Sequence, residues 1–211
     1  MKSVRTPPPG GVYICCLCEK DNLLSQWRGY GENGTGVSIG LEPSGFRDYS
    51  GPDCPTESLG LTRLWKVFYN DKIQEDIVEK ALDLIPKLNN EDSDEVKAYK
   101  AADAIHFFMP TFKNQDFEEE KERRLIFTPS PKCRVGPSFR VVRGMLVPYY
   151  SLKALGKEIY GQEYKNPLPI VNVRVGPSVR QPENIVSAKM LLSQNGYKEV
   201  TVNASDTPFR G

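Results

Sequence analysis

The chain has 211 residues, 39% of them hydrophobic and 26% charged, with a formal net charge of +1. These are the proportions of one ordinary globular domain, and the charge gives no global argument for nucleic-acid or membrane binding. No apolar run reaches the ~18 residues of a membrane-spanning helix, so no membrane partner is expected.

Residues 1–10, with three consecutive prolines, predict a flexible lead-in, and a single domain is expected over 11–211. The lead-in lacks the apolar stretch of a secretory signal, which points to a cytoplasmic protein. Val12–Cys18 predicts a buried first strand. It holds three of the five cysteines, and an odd, clustered set is a poor disulfide framework. Cys15 and Cys18 form one C-x-x-C, but no second pair completes a zinc site. Core cysteines and no metal are therefore expected.

Lys20-Asp21-Asn22 predicts a cap for a short helix over Leu23–Tyr30, followed by a glycine-rich turn at 31–36 and a strand at Val37–Leu41. Prolines and glycines make 43–60 an irregular loop. Leu64–Tyr69 reads as a strand from its aromatic and β-branched content. Ile73, Ile77, Ala81 and Leu84 then recur at helical spacing behind an Asn70/Asp71 cap, up to Pro86. Val96, Tyr99, Ala102, Ile105 and Met109 define a second helix, stopped by Pro110. The two form a helical insert near 71–109. Further strands are expected at Arg124–Phe127, Phe139–Val142, Met145–Tyr149 and Ile170–Val175. A last helix spans Asn184–Gln194, closed by a left-handed Gly196, and Val200–Val202 is the final strand. Strands at both ends with helices between predict an α+β fold with a mainly antiparallel bent or split sheet.

Two constellations could carry chemistry. Strand alternation puts Glu120, Glu122 and Arg124 on one face. Two carboxylates and a guanidinium could position a ribose hydroxyl and stabilise a cationic transition state. The competing reading is a solvated charged turn with ion pairs worth about 0–1 kcal/mol each. In the second constellation, Gln26, Arg28 and Tyr30 lie on the short helix beside the glycine turn, with Ser38 beyond it. They could hold a nucleotide by stacking and phosphate pairing. The competing reading packs Trp27 and Tyr30 against a sheet and pairs Arg28 with a carboxylate.

Three other features are weaker. His106 is the only histidine, mid-helix, and reads as a core or half-buried residue, so Ser-His-Asp and Cys-His schemes lack support. Gly176-Pro177-Ser178-Val179-Arg180 has one glycine and no phosphate-loop or dinucleotide fingerprint. Ser178 and Arg180 before a helix could bind an anion, against the alternative of a plain strand-to-helix turn. Ser205–Arg210 reads as an ordered end.

Several blocks in this order carry a resemblance: Cys18–Tyr30, Gly34–Gly40, Phe117 with Glu120–Leu125, Gly144–Tyr149, Val175-Gly176-Pro177 and Ser205–Arg210. Together they resemble the family known as domain of unknown function 2971. Members usually carry an upstream Tyr/His-x-Tyr-like strand and an Asn-Asp-Pro turn, and this chain begins after that point. The family's layout is distantly similar to ADP-ribosyltransferase-like folds, whose Gln/Glu-x-Glu element Glu120-x-Glu122 resembles. The resemblance implies NAD as substrate. Glu122 would bind the nicotinamide ribose and stabilise the oxocarbenium ion, while Glu120 would orient the acceptor. It further implies a bacterial or phage-linked transferase or glycohydrolase, in a toxin or phage-defence context. One rival is a non-catalytic protein-interaction or ligand-sensing module that lost the catalytic strand. The other is a nucleic-acid-binding domain using Arg28, Arg123, Arg124, Arg140, Arg143, Arg174 and Arg180, against which the near-zero net charge counts.

Overall fold

A computed structural model describes residues 11–46, 60–83, 93–130, 133, 135–153, 155 and 168–208. The expected lead-in, most of the 43–60 loop, Leu84, Pro86, Cys54, Phe209 and Arg210 lie outside the described residues. In chain order the elements are β1 (Tyr13–Cys18), α1 (Leu24–Gly29), β2 (Val37–Leu41), β3 (Gly60–Lys66), α2 (Asp71–Asp83) and α3 (Asp94–Phe108). There follow β4 (Glu122–Pro129), β5 (Ser138–Val142), β6 (Met145–Tyr149), β7 (Ile170–Val175), α4 (Gln181–Gln194) and β8 (Thr201–Ala204). Among the described residues the strands form three open sheets, ordered β1-β4-β3, β2-β7-β8 and β5-β6. The fold is mixed α+β.

Pairing is antiparallel in β2–β7, with Val37 opposite Val175 and Ile39 opposite Val173, and antiparallel in β5–β6. The β7–β8 pair is parallel. A parallel pair needs a crossover, and α4 supplies it. That helix starts at Gln181, three residues before the expected Asn184, with Pro182 in its first turn where a missing N–H is harmless.

Contacts divide the chain into two units. One comprises residues 1–13, 20–64 and 127–211, and the other 14–19 and 65–126. The first buries Trp27, Phe127, Leu155, Val173, Val175 and Tyr197, and the second Val67, Tyr69, Ala81, Leu125 and Ile126.

In the second unit the Asn70 side chain accepts the Ile73 N–H at 3.2 Å to start α2. Ser93 caps α3 through the Val96 N–H at 3.4 Å. Pro110 lies inside a 3₁₀ turn, Met109–Thr111, that continues the chain beyond α3. His106 is exposed on α3, which corrects the core or half-buried expectation: the helix turns that position away from Trp65, which packs edge-on against Phe107 and Phe108. The core-cysteine expectation is also overturned for Cys16, which is exposed, while Cys15 and Cys18 are half-buried. β1 is an edge strand of its sheet, and its burial alternates along its length. β3 begins at Gly60 and ends at Lys66, earlier at both ends than expected. At Tyr69 the chain has already left the sheet, and Phe68 makes only an isolated bridge to Phe112.

The glycine-rich turn of the first unit is a packing device. A Cβ on Gly176 would fall 2.3 Å from the Gly34 carbonyl oxygen, and one on Gly31 would fall 2.9 Å from the Trp27 ring. Glycine lets two backbones meet here where any side chain would hold them apart.

Candidate functional site

β4 begins at Glu122, directly after a 3₁₀ turn over Gln115–Glu120 and a left-handed Lys121 at φ 44°. Glu120 therefore stands off the strand, and the expected shared face holds only for Glu122 and Arg124. The three groups nevertheless converge, because Lys113 reaches both acids. Its Nζ lies 3.0 Å from Glu122 Oε2 and also pairs with Glu120. Arg124 grips the same Glu122 carboxylate with two prongs, Nε to Oε1 at 2.9 Å and Nη2 to Oε2 at 3.1 Å. Its remaining nitrogen, Nη1, donates to the carbonyls of Pro110 at 2.7 Å and Phe112 at 3.3 Å. The Glu122 N–H donates to the Tyr69 hydroxyl at 2.7 Å.

Glu122 is only 4% exposed, so the solvated-turn reading fails for it. Burial pushes its pKa up, but hydrogen bonds from Arg124, Cys16 and Lys113 outweigh that and hold it at about 2. For Lys113, burial works against the charge, yet its bonds to Glu120 and Glu122 raise the pKa above the ordinary value. The same balance raises Arg124. The Cys16 thiol is pushed up to about 11, first by desolvation and then by its hydrogen bond to Glu122. It is a protonated donor at neutral pH, not a nucleophilic thiolate. Glu122 is thus an anion at neutral pH with both oxygens engaged, its pKa about five units below the value that suits a general base at neutrality.

The other candidate residues lie in the first unit. Gln26, Arg28 and Tyr30 are on or just after α1, Ser38 is on β2 opposite Arg174, and Arg180 precedes α4. Trp27 is 3% exposed while Tyr30 is 75% exposed, so only the tryptophan packs as the competing reading expects. Arg28 and Arg180 are exposed. The Tyr30 N–H donates to the Gln26 carbonyl at 2.9 Å, closing α1, but among the described residues no side-chain hydrogen bond joins Gln26, Arg28, Tyr30, Ser38 or Arg180 to one another.

A hub that sequence reasoning missed sits beside them. Asn22 Oδ1 accepts from Trp27 Nε1 at 2.9 Å, Ser205 Oγ at 2.5 Å and Thr207 Oγ1 at 2.8 Å. Asn22 Nδ2 donates to Asp206 Oδ1 at 2.6 Å. Its neighbour Asp21 holds Arg174 Nε at 2.9 Å. Ser205–Thr207 is thus an ordered end, tied to the segment before α1. The one available signal was that the Asn22 and Ser205 blocks recur together in the resemblance. Gln181 Nε2 donates to the carbonyls of Val175 at 3.1 Å, Gly176 at 3.0 Å and Ser205 at 3.0 Å. The residues after β7 therefore form a strand-to-helix turn braced by Gln181.

Three of the seven arginines offered for nucleic acid are in ion pairs: Arg123 with Glu19, Arg124 with Glu122 and Arg174 with Asp21. Among the described residues there is no group of three or more His, Cys, Asp or Glu side chains able to hold a metal ion. No described helix is long and apolar enough to cross a membrane. No curated protein and no solved structure matches the chain. One family does match, over residues 26–125, a segment that holds Gln26, Arg28, Tyr30, Ser38, Glu120, Glu122 and Arg124 but not Arg180. That stretch is about half the chain, and the chain belongs to the family described as "Protein of unknown function (DUF2971)".

Proposed function

We propose that this protein is a protein-interaction or ligand-sensing module in which the Glu122 cluster is a structural clasp. One observation carries this: the Glu122 carboxylate is buried, and Arg124 and Lys113 occupy both its oxygens. A carboxylate that must accept a ribose hydroxyl needs a free lone pair aimed at a cleft. Here the lone pairs serve two cations, and withdrawing either would leave buried charge uncompensated.

A second reading keeps NAD as substrate, as an ADP-ribosyl transferase or glycohydrolase in a bacterial toxin or phage-defence context. The observation that favours it is the convergence of Glu120 and Glu122 on Lys113 at the head of a strand. In that reading the lysine holds the two acids until substrate displaces it.

Nicotinamide release from NAD separates the two. Wild type and Glu122→Gln are incubated with NAD, and binding is followed by calorimetry. The module reading predicts no release from either protein. Release by wild type that Glu122→Gln abolishes, in a variant that remains folded, would overturn it in favour of the second.

A further inference from the structure

The β5–β6 hairpin is built unlike the rest of the first unit. It is a two-stranded sheet whose outer edges pair with no other strand among the described residues. Phe139 is 58%, Val141 74% and Leu146 68% exposed. With Pro148, also exposed, they form one continuous apolar face, because Phe139 lies opposite Pro148 and Val141 opposite Leu146. The other face carries Arg140, whose guanidinium lies over the Tyr149 ring at 5.6 Å. An isolated hairpin is marginally stable in water, and an exposed apolar edge is a template for another strand.

The register says which edge is open. Arg143 and Gly144, both at positive φ, form a two-residue turn that closes the Val142–Met145 pair. In such a hairpin the closing pair is hydrogen-bonded, and bonded and non-bonded pairs alternate away from it. The Arg140–Val147 and Ser138–Tyr149 pairs are then bonded inward. Phe139 and Val141 on β5, and Leu146 and Pro148 on β6, point their backbone groups outward. Proline has no N–H, so Pro148 spoils the β6 edge. The β5 edge keeps both donors and both acceptors.

Charge selects the occupant. The hairpin itself, residues 138–149, carries two arginines, Arg140 and Arg143, and no acidic residue. We infer that β5 is a docking edge for an extended segment of another protein that alternates apolar and acidic residues. The apolar side chains would cover Phe139 and Val141. The acidic ones would meet Arg140, with Arg143 at the turn. This deepens the interaction-module reading and rests on it.

The test uses the full chain and a seven-residue peptide alternating valine and glutamate, with a valine–lysine peptide as control. Two variants probe independent features. Val141→Pro removes an outward donor without touching a hairpin hydrogen bond, and Arg140→Glu reverses the charge. Wild type should bind the glutamate peptide, and each variant should bind it at least tenfold more weakly. Arg140→Glu should gain affinity for the lysine peptide. The inference is overturned by absent binding, or by equal binding to wild type and Arg140→Glu. It is equally overturned if phosphatidylserine vesicles bind and the peptide does not, or if light scattering shows a dimer that Val141→Pro dissolves. Failure here with no nicotinamide release leaves the module reading standing, whereas nicotinamide release removes that reading whatever the peptide does.

Discussion

Glu122 gathers two cations on one buried carboxylate at the head of β4, whereas Asn22 gathers three neutral donors on one amide oxygen ahead of α1. Both tie segments distant in sequence. Asn22 reaches residues 183 and 185 positions away, and Glu122 reaches Tyr69 across 53. They differ in what they make the fold depend on. The charged hub is as stable as its ionisation, while the neutral hub has no titrating partner on the acceptor oxygen. A fold that stakes a buried carboxylate on two cations has little freedom to lend that carboxylate to a substrate.

The sharpest way to break this comparison is to empty each hub. Glu122→Ala strands Arg124 and Lys113 without their shared counter-charge and should lose ~3–5 kcal/mol in urea unfolding. Trp27→Ala removes the indole that anchors the neutral hub and should lose a similar ~3–5 kcal/mol through the cavity it leaves. A loss below about 1 kcal/mol at Glu122 would show that the pairing is not structural.

Acid should separate the two hubs. Glu122 has a folded pKa of about 2 against an ordinary 4.5. A depressed carboxylate stabilises the fold above its unfolded pKa, and that stability is lost as pH falls through the folded value. Between about pH 4.5 and pH 2 the protein should lose roughly 3 kcal/mol from this group alone. Glu122→Gln should flatten that window in a pH series of denaturation curves, and Asn22→Ala should leave its slope unchanged.

At fixed neutral pH, Asn22→Ala should cost about 1–3 kcal/mol, because the Trp27, Ser205 and Thr207 donors lose their shared acceptor. The smallest effect is expected outside both hubs. Tyr30→Ala and Arg28→Ala, on exposed positions of and after α1, should shift stability by no more than about 0.5 kcal/mol. A larger loss there would mean that the α1 surface is bound into the fold after all.

How far these features could be read from sequence follows their range along the chain. The spans of β2, β6 and β7 were legible residue by residue, because short apolar and β-branched runs are bracketed by glycine and proline. Glu120, Glu122 and Arg124 were legible as a group, but for a geometry that only half applies. A period of two cannot see that a 3₁₀ turn and a left-handed Lys121 intervene, nor that Lys113 folds back onto both acids. β3 was misplaced because Gly60 opens it. A Cβ there would fall 2.3 Å from the Thr128 carbonyl oxygen, a requirement set by a strand far along the chain. The Asn22 hub was illegible for the same reason: nothing local to Asn22 announces Ser205 and Thr207. The parallel β7–β8 pair was missed although its crossover helix was found, since pairing direction is a tertiary property.

The most direct test of the clasp is a pH titration of the Glu122 side-chain carboxyl carbon by nuclear magnetic resonance, assigned by its loss in Glu122→Gln. The carboxylate should stay ionised down to about pH 2. A midpoint at or above the ordinary 4.5 would contradict the account, because it would mean that Arg124 and Lys113 do not hold that carboxylate in solution.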